Sequence, residues 1–488
     1  MGGGGKMALL ARFAACAALA VAGPAMADEP EPIRYEAYPE SYPVSSSGNA
    51  SASPCRDLAY DWPSPFTNAV CWSDGLVPHA GATYIAGQVN GKNSVLWTPI
   101  QSEGTTYDMF DTLVLTNGCT LCIRHASGAQ AIFNDLRAHG DADTYIYCAN
   151  VGGTILGGGL YIADGAVLGI ASYNSRAFRV DSEISGGGTI AFNTQVGTEA
   201  YGASYGLYGA NANFRGKISV SSRAVTKATL TSSYSTMSIT NATALGGSLP
   251  TFAHDALTLK YKSVLSVGAQ NIELPADANR GILIGASGAR INVSDGGKFT
   301  VNWPLVLTKN VHFYKEGAGH LVLGSELQFL NKSDTYIGTT PGTSTSNDLY
   351  YYIDVREGTL SATDCNAANG ACIAFSNDTA LVVSVDTANA DLKKYGVRGD
   401  RTRYASPFAT DVPIRLVADG ALTEGTYSIP LVTVKDVYAD DVAEKLKVSL
   451  GFRGYELTGI RSAAADGISK ATTFYADFRK RGLVVSLK

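Results

Sequence analysis

Glycine-rich corners followed by short, strictly alternating apolar runs recur along most of this chain. "GGGLYIADGAVLGI", "GGGTIAFNTQV" and "GAGHLVLGSELQF" share the pattern, glycines first and then a two-periodic strand. Glycine takes positive φ without steric cost, so the corner turns while the alternating run presents one apolar face. A strand of four to seven residues cannot bury that face alone. Antiparallel folds favour tight two-residue hairpins, but similar units here return at irregular intervals of about 20 to 30 residues, the mark of stacked repeats. The expected fold is therefore all-β, a parallel β-helix. With strands stacked at about 4.8 Å, it makes a rod of roughly 15 to 20 coils and 70 to 95 Å.

Composition agrees. Glycine supplies 53 of 488 residues, tyrosine 26, methionine 5, and charged residues 17%; this favours strands and turns over helices. The formal charge of -5 comes with no basic stripe, so nucleic acid is not an expected partner. Residues 1-27 read as a signal peptide: Lys6 and Arg12, the apolar "FAACAALAVAG", and "AMA" ending at Ala27. Acylation at Cys16 is the alternative. No later run has the length of a membrane helix. Residues 28-54 are rich in Pro, Glu and Ser and read as a disordered leader. The β-helix is expected over 55-405, and 406-488 as a C-terminal β-rich cap shielding the open end. Within that cap "VPIRLVADGALTEGTYSIPLVTV" reads as two strands around a turn, "DDVAEKLKVSL" as a short helix, and "KRGLVVSLK" as a last strand.

Seven cysteines follow the signal segment. Cys55 with Cys71 and Cys365 with Cys372 lie close together in turn-rich segments and are expected to staple local loops. The "CTLC" at 119 to 122, with His125 and Cys148, invites a redox or zinc reading. Strand geometry opposes it, since Cys119 and Cys122 point to opposite faces. Cys119 and Cys148, one coil apart, are expected to stack inward.

"YKEGAGHLVLGSELQFLNKSDTYIG", followed after an insertion by "YYIDVREGTLSA", resembles the autotransporter-associated β-strand repeat of bacterial passenger domains. The matching positions are Lys315, Gly317, Gly319, Leu321 and Leu323, then Val355, Gly358, Thr359 and Leu360. The resemblance implies a right-handed parallel β-helix outside the cell, with structural or adhesive roles common. The chain departs from that family at its end, where "FRKRGLVVSLK" leaves too little sequence for a membrane barrel.

Candidate chemistry is sparse. A carbohydrate-active β-helix needs paired carboxylates, or carboxylates with a base. Asp108 and Asp111, then His139, Asp141 and Asp143, then Asp440 and Asp441 are the acidic clusters, all in polar turn-like stretches. "DADTY" offers oxygens to calcium, and Arg398 to Asp400 spell the integrin-binding tripeptide. No nucleophilic triad, phosphate loop or zinc helix motif stands in the sequence. Tyrosines cluster in "AYGASYGLYGANANF" and "NDLYYYIDV", where they either meet sugars or proteins at the surface or form stacks within the coils. The expectation is an exported, cofactor-free β-solenoid with a structural or adhesive role toward a surface glycan or an extracellular protein. A polysaccharide lyase or glycoside hydrolase on the same scaffold is the alternative.

Overall fold

Short strands pair in parallel, each with the strand one coil earlier and one coil later, and build a β-helix. The computed structural model describes residues 32–35 and 65–481, with interruptions, the longest at 195–202, 225–233, 340–350, 386–396 and 400–406. The segments expected to be a signal peptide and a leader lie almost wholly outside the described residues.

Three sheets form the walls. A 15-stranded sheet runs from Ile33–Arg34 to Cys372–Phe375, an 11-stranded sheet accompanies it as far as Tyr336–Gly338, and a 7-stranded sheet adds a third wall from Asn271–Glu273 onward. Coil length is the register step along a wall. Leu136 pairs with Leu160 and Leu160 with Ile184, and farther on Leu207 pairs with Ile239 and Ile239 with Val267. The steps range from 24 residues to 32 across these pairs. The insertion after Gly338 lengthens one coil to 40, since His312 pairs with Tyr352.

Alternation explains the core. On the long sheet the inward column Phe178, Tyr205, Met237, Leu265, Ile291 climbs one coil at a time, and every member is buried. On the second sheet Leu121, Ile146, Ile170, Phe192 and Val220 do the same. Like sits on like, so each coil completes its neighbour's apolar surface at about 25 cal/mol per Å² buried.

The ends are closed differently. At the N-terminal end Phe66 meets Tyr107, Phe110 and Phe133 edge-on at 5.4, 4.9 and 6.3 Å, and Trp72 packs on Tyr35 and Tyr84. Such edge-to-face contacts pack the N-terminal end of the described stack. At the other end the parallel stacking continues beyond 405. Leu381 pairs with Ile414, and Ile414 with Val448, so the strands expected within the cap still belong to the rod as far as Leu450. Of the two strands expected around a turn, Val412–Ala418 joins the third wall and Thr426–Lys435 enters a separate four-stranded sheet. That sheet pairs Thr426–Lys435 and Tyr455–Ala464 antiparallel to Ala471–Lys480, with Val397–Gly399 at one edge. The short helix is Ala439–Lys445. The last strand expected over "KRGLVVSLK" lies almost wholly outside the described residues. No helix among the described residues is long and apolar enough to cross a membrane.

The expected staples do not form. Cys71 and Cys372 carry free, buried thiols, and Cys55 and Cys365 lie outside the described residues. Burial pushes both thiols up to about 11. Neither sits in an open loop: Cys71 ends a 3-10 turn under the aromatic plug, and Cys372 begins a strand whose register sets it against Tyr352. The inward stacking of Cys119 on Cys148 is also corrected. Cys148 pairs with Ile123, while Cys119 lies four residues earlier, opposite Ser94. Cys119 is a free thiol, and Cys122 on the opposite side of the strand is disulfide-bonded. The two cysteines of "CTLC" are thus not joined to each other.

Candidate binding surface

Outward columns of the long sheet carry the most organised polar chemistry on the molecule. Register brings Arg290 against Tyr314 and Tyr314 against Asp354, while Asn292 lies against Glu316 and His312 against Tyr352. Strand alternation turns these residues outward because Ile291, Phe313, Lys315, Ile353 and Val355 between them point in.

The side chains form a continuous ladder. The Arg290 guanidinium lies 3.9 Å from the Tyr234 ring centre and 5.3 Å from that of Tyr314. Arg356 covers the Tyr314 ring as well, 3.8 Å from its centre. Both arginines reach the Glu316 carboxylate, Arg290 in a close ion pair and Arg356 at 3.4 Å. Arg290 also donates to the Tyr234 hydroxyl. His312 stacks flat on Tyr352 at 4.3 Å and 3°, and its Nδ1 meets Asp354 at 2.8 Å. Ring faces are thus covered by neighbouring rings and guanidiniums. The same unit recurs lower on the rod. Arg137 is 5.9 Å from the Tyr161 ring and paired with Asp135, and Arg179 is 5.0 Å from the Tyr208 ring and paired with Asp181. Hydrogen bonding to those carboxylates raises both guanidinium pKa values. Cation–π contacts of this kind are worth about 0.5–1 kcal/mol each at exposed sites.

Behind the ladder stand the residues that carry the repeat resemblance. Lys315 occupies the apolar inward column between Ile291 and Val355 and is fully buried. Its Nζ donates to the carbonyls of Glu316, Gly317 and Glu357 at 2.9, 2.5 and 3.0 Å. Burial lowers its pKa to about 8. Gly317 and Gly358 have φ of +74° and +67°, and a Cβ on Gly358 would stand 2.4 Å from the Gly319 carbonyl oxygen. A Cβ on Gly319 would stand 2.2 Å from the Ser294 oxygen. Leu321, Leu323, Val355 and Leu360 are buried in the core, and Thr359 accepts or donates at 2.6 Å to His320. All nine positions therefore shape the coil and its corner. Arg280 serves a similar purpose elsewhere: buried, and with no carboxylate in contact among the described residues, it donates to the carbonyls of Phe214, Gly216 and Gly247.

The acidic clusters do not converge. Asp108 and Asp111 are exposed beside the N-terminal plug, His139 is exposed, and Asp141 and Asp143, the aspartates of "DADTY", lie outside the described residues. Asp440 and Asp441 are exposed in the first turn of the C-terminal helix, where Asp441 pairs with Lys445 at 2.8 Å. No group of three His, Cys, Asp or Glu among the described residues is placed to hold a metal. Arg398 and Gly399 lie in a strand paired to Thr433 and Val434, and Asp400 is outside the described residues. The tyrosine clusters divide between core and surface. Tyr205 and Tyr351 are buried, whereas Tyr208 and Tyr352 join the outer ladder. The arginines and His312 carried no sequence signal of their own, because only the coil step of 24 or 40 residues aligns them.

No known protein family, curated protein or solved structure matches the chain.

Proposed function

We propose that this protein is an exported, extracellular β-solenoid that serves as a structural or adhesive element and uses its outer ladder to hold glycan or protein surfaces without catalysis. The observation that carries the reading is the ladder itself. Tyr234, Arg290, His312, Tyr314, Tyr352 and Arg356 form a strip of stacked rings and guanidiniums on the outer face of one wall. Aromatic residues and arginine are enriched at protein interfaces, where rings offer large contact area and the planar guanidinium offers stacking and forked hydrogen bonding. Resemblance to the passenger-domain repeat supports the extracellular setting.

The test is a glycan array and an extracellular-matrix binding assay on the full chain, run beside a turnover assay on the same polysaccharides. Binding without product, reduced about tenfold by Tyr314→Ala together with Arg356→Ala, is the expected result. Product formation would overturn the non-catalytic reading, and unchanged binding in the double variant would remove the ladder from it. Cell fractionation with an intact N-terminal segment tests export, which predicts protein outside the inner membrane.

A further inference from the structure

The strand Tyr455–Ala464 ends the order of the C-terminal four-stranded sheet, and its outer edge pairs with no strand among the described residues. It is ten residues long, none of them buried. Edges of that length are normally blunted by lysine, proline, other charges or a bulge; "YELTGIRSAA" contains no lysine or proline and is broken only by Glu456, Arg461 and the bulge after Leu457. Leu457 and Ile460 are exposed at 36% and 41%, both on the side of the sheet that holds the buried Phe478 and Ala476. Glu456 and Arg461 lie on the opposite side, across from Arg479 and Tyr475; within the chain Glu456 pairs with Arg479 at 2.7 Å and Arg461 with Asp477 at 3.3 Å, so pairing with a second copy would share these carboxylate and guanidinium groups rather than find them free.

We propose that this edge binds the same edge of a second copy, antiparallel about a two-fold axis, so that two four-stranded sheets become one continuous sheet. The sequence is self-complementary in one register. With the axis between Thr458 and Gly459, Leu457 opposes Ile460 of the second copy, and Glu456 opposes its Arg461. The bulge between Leu457 and Gly459 keeps the two residues of each pair on a common face, apolar with apolar and acid with base. Because the contact is isologous, each pair is made twice, as closed two-fold symmetry requires. Main-chain hydrogen bonds across the edge supply affinity, and the side-chain pairs fix the register. Ile460→Lys would return the edge to the blunted state that monomeric sheets adopt.

Sedimentation of the full chain tests this as a mixing experiment. The unaltered protein should dimerise reversibly. Glu456→Arg places arginine opposite arginine and Arg461→Glu places glutamate opposite glutamate, so each variant alone should associate about tenfold more weakly or worse. In an equal mixture of the two, the introduced arginine faces the introduced glutamate, the native Arg461 of one variant faces the native Glu456 of the other, and dimer should return. Ile460→Lys, at an exposed position, should give folded monomer by circular dichroism. A monomer at the highest soluble concentration of unaltered protein overturns the proposal, as does a dimer indifferent to Ile460→Lys or a mixture no more dimeric than its components.

Discussion

His320 shows how one outward-leaning side chain can set the acid limit of the fold. It lies on the strand that follows the Lys315 corner, with Nδ1 2.6 Å from Thr359 Oγ1 and Nε2 2.8 Å from Ser361 Oγ. Burial first, then the nearby Lys298 and Lys315 charges, lower its pKa to about 4. The unfolded chain protonates this imidazole near its ordinary value of about 6.5, so between those limits the unfolded state binds more protons than the folded one. The contribution of His320 to stability is then full above about pH 6.5 and is lost as pH falls toward about 4. His320→Gln keeps hydrogen-bonding capacity without a titrating group. Urea midpoints compared at pH 7 and pH 4.5 should fall by an amount on the order of 2 kcal/mol more for the unaltered protein than for the variant. Equal losses would refute this account of His320.

At the scale of the corner and its wall, the alternating runs and the glycines before them were legible because both follow from backbone sterics and pleat. Gly317 and Gly358 stand where the sequence pattern puts a turn, and Leu321 and Leu323 fill the wall. Corners without glycine were not legible: Tyr261 and Lys262 take φ of 53° and 64° between two strands that read as one continuous run. Nor was the purpose of Lys315, since nothing local says that a lysine in an apolar column will find three carbonyls. The cysteine staples failed for a related reason, because nearness in sequence says nothing about which rung each thiol faces. The corner geometry predicts that identical substitutions cost different amounts. Gly358→Ala combines left-handed φ with a Cβ against the Gly317 and Gly319 carbonyl oxygens at 2.5 and 2.4 Å, whereas Gly454, at φ +84°, has open space around it. Gly454→Ala should cost about 1–2 kcal/mol, the left-handed penalty alone. Gly358→Ala should cost about 2–4 kcal/mol, because backbone must shift as well. Thermal melts of the two variants check the order, and equal losses would mean the corner yields more easily than its packing implies.

For the whole rod, stability is a sum over neighbours, because each coil touches only the coil before and the coil after. The candidate binding strip inherits that property. Its residues come from separate coils and are joined only by stacking, which is why the sequence displayed tyrosine clusters but not the ladder that unites Tyr234, Arg290 and Arg356. The same logic makes damage local. Phe66 is fully buried at the N-terminal end, in edge contact with Tyr107, Phe110 and Phe133. Phe66→Ala removes that plug at a cost of about 3–5 kcal/mol, which falls on the terminal coils because each coil is braced only by its neighbours. Hydrogen exchange should therefore rise in the strands Thr83–Ala86, Ser94–Trp97 and Thr112–Leu115. Amides of Ser263–Val267, Ala289–Val293 and His312–Glu316, deep in the stack, should keep their protection. If protection instead fell equally along the chain, the rod would be one cooperative unit, and an adhesive strip in its far half could not survive loss of its near end.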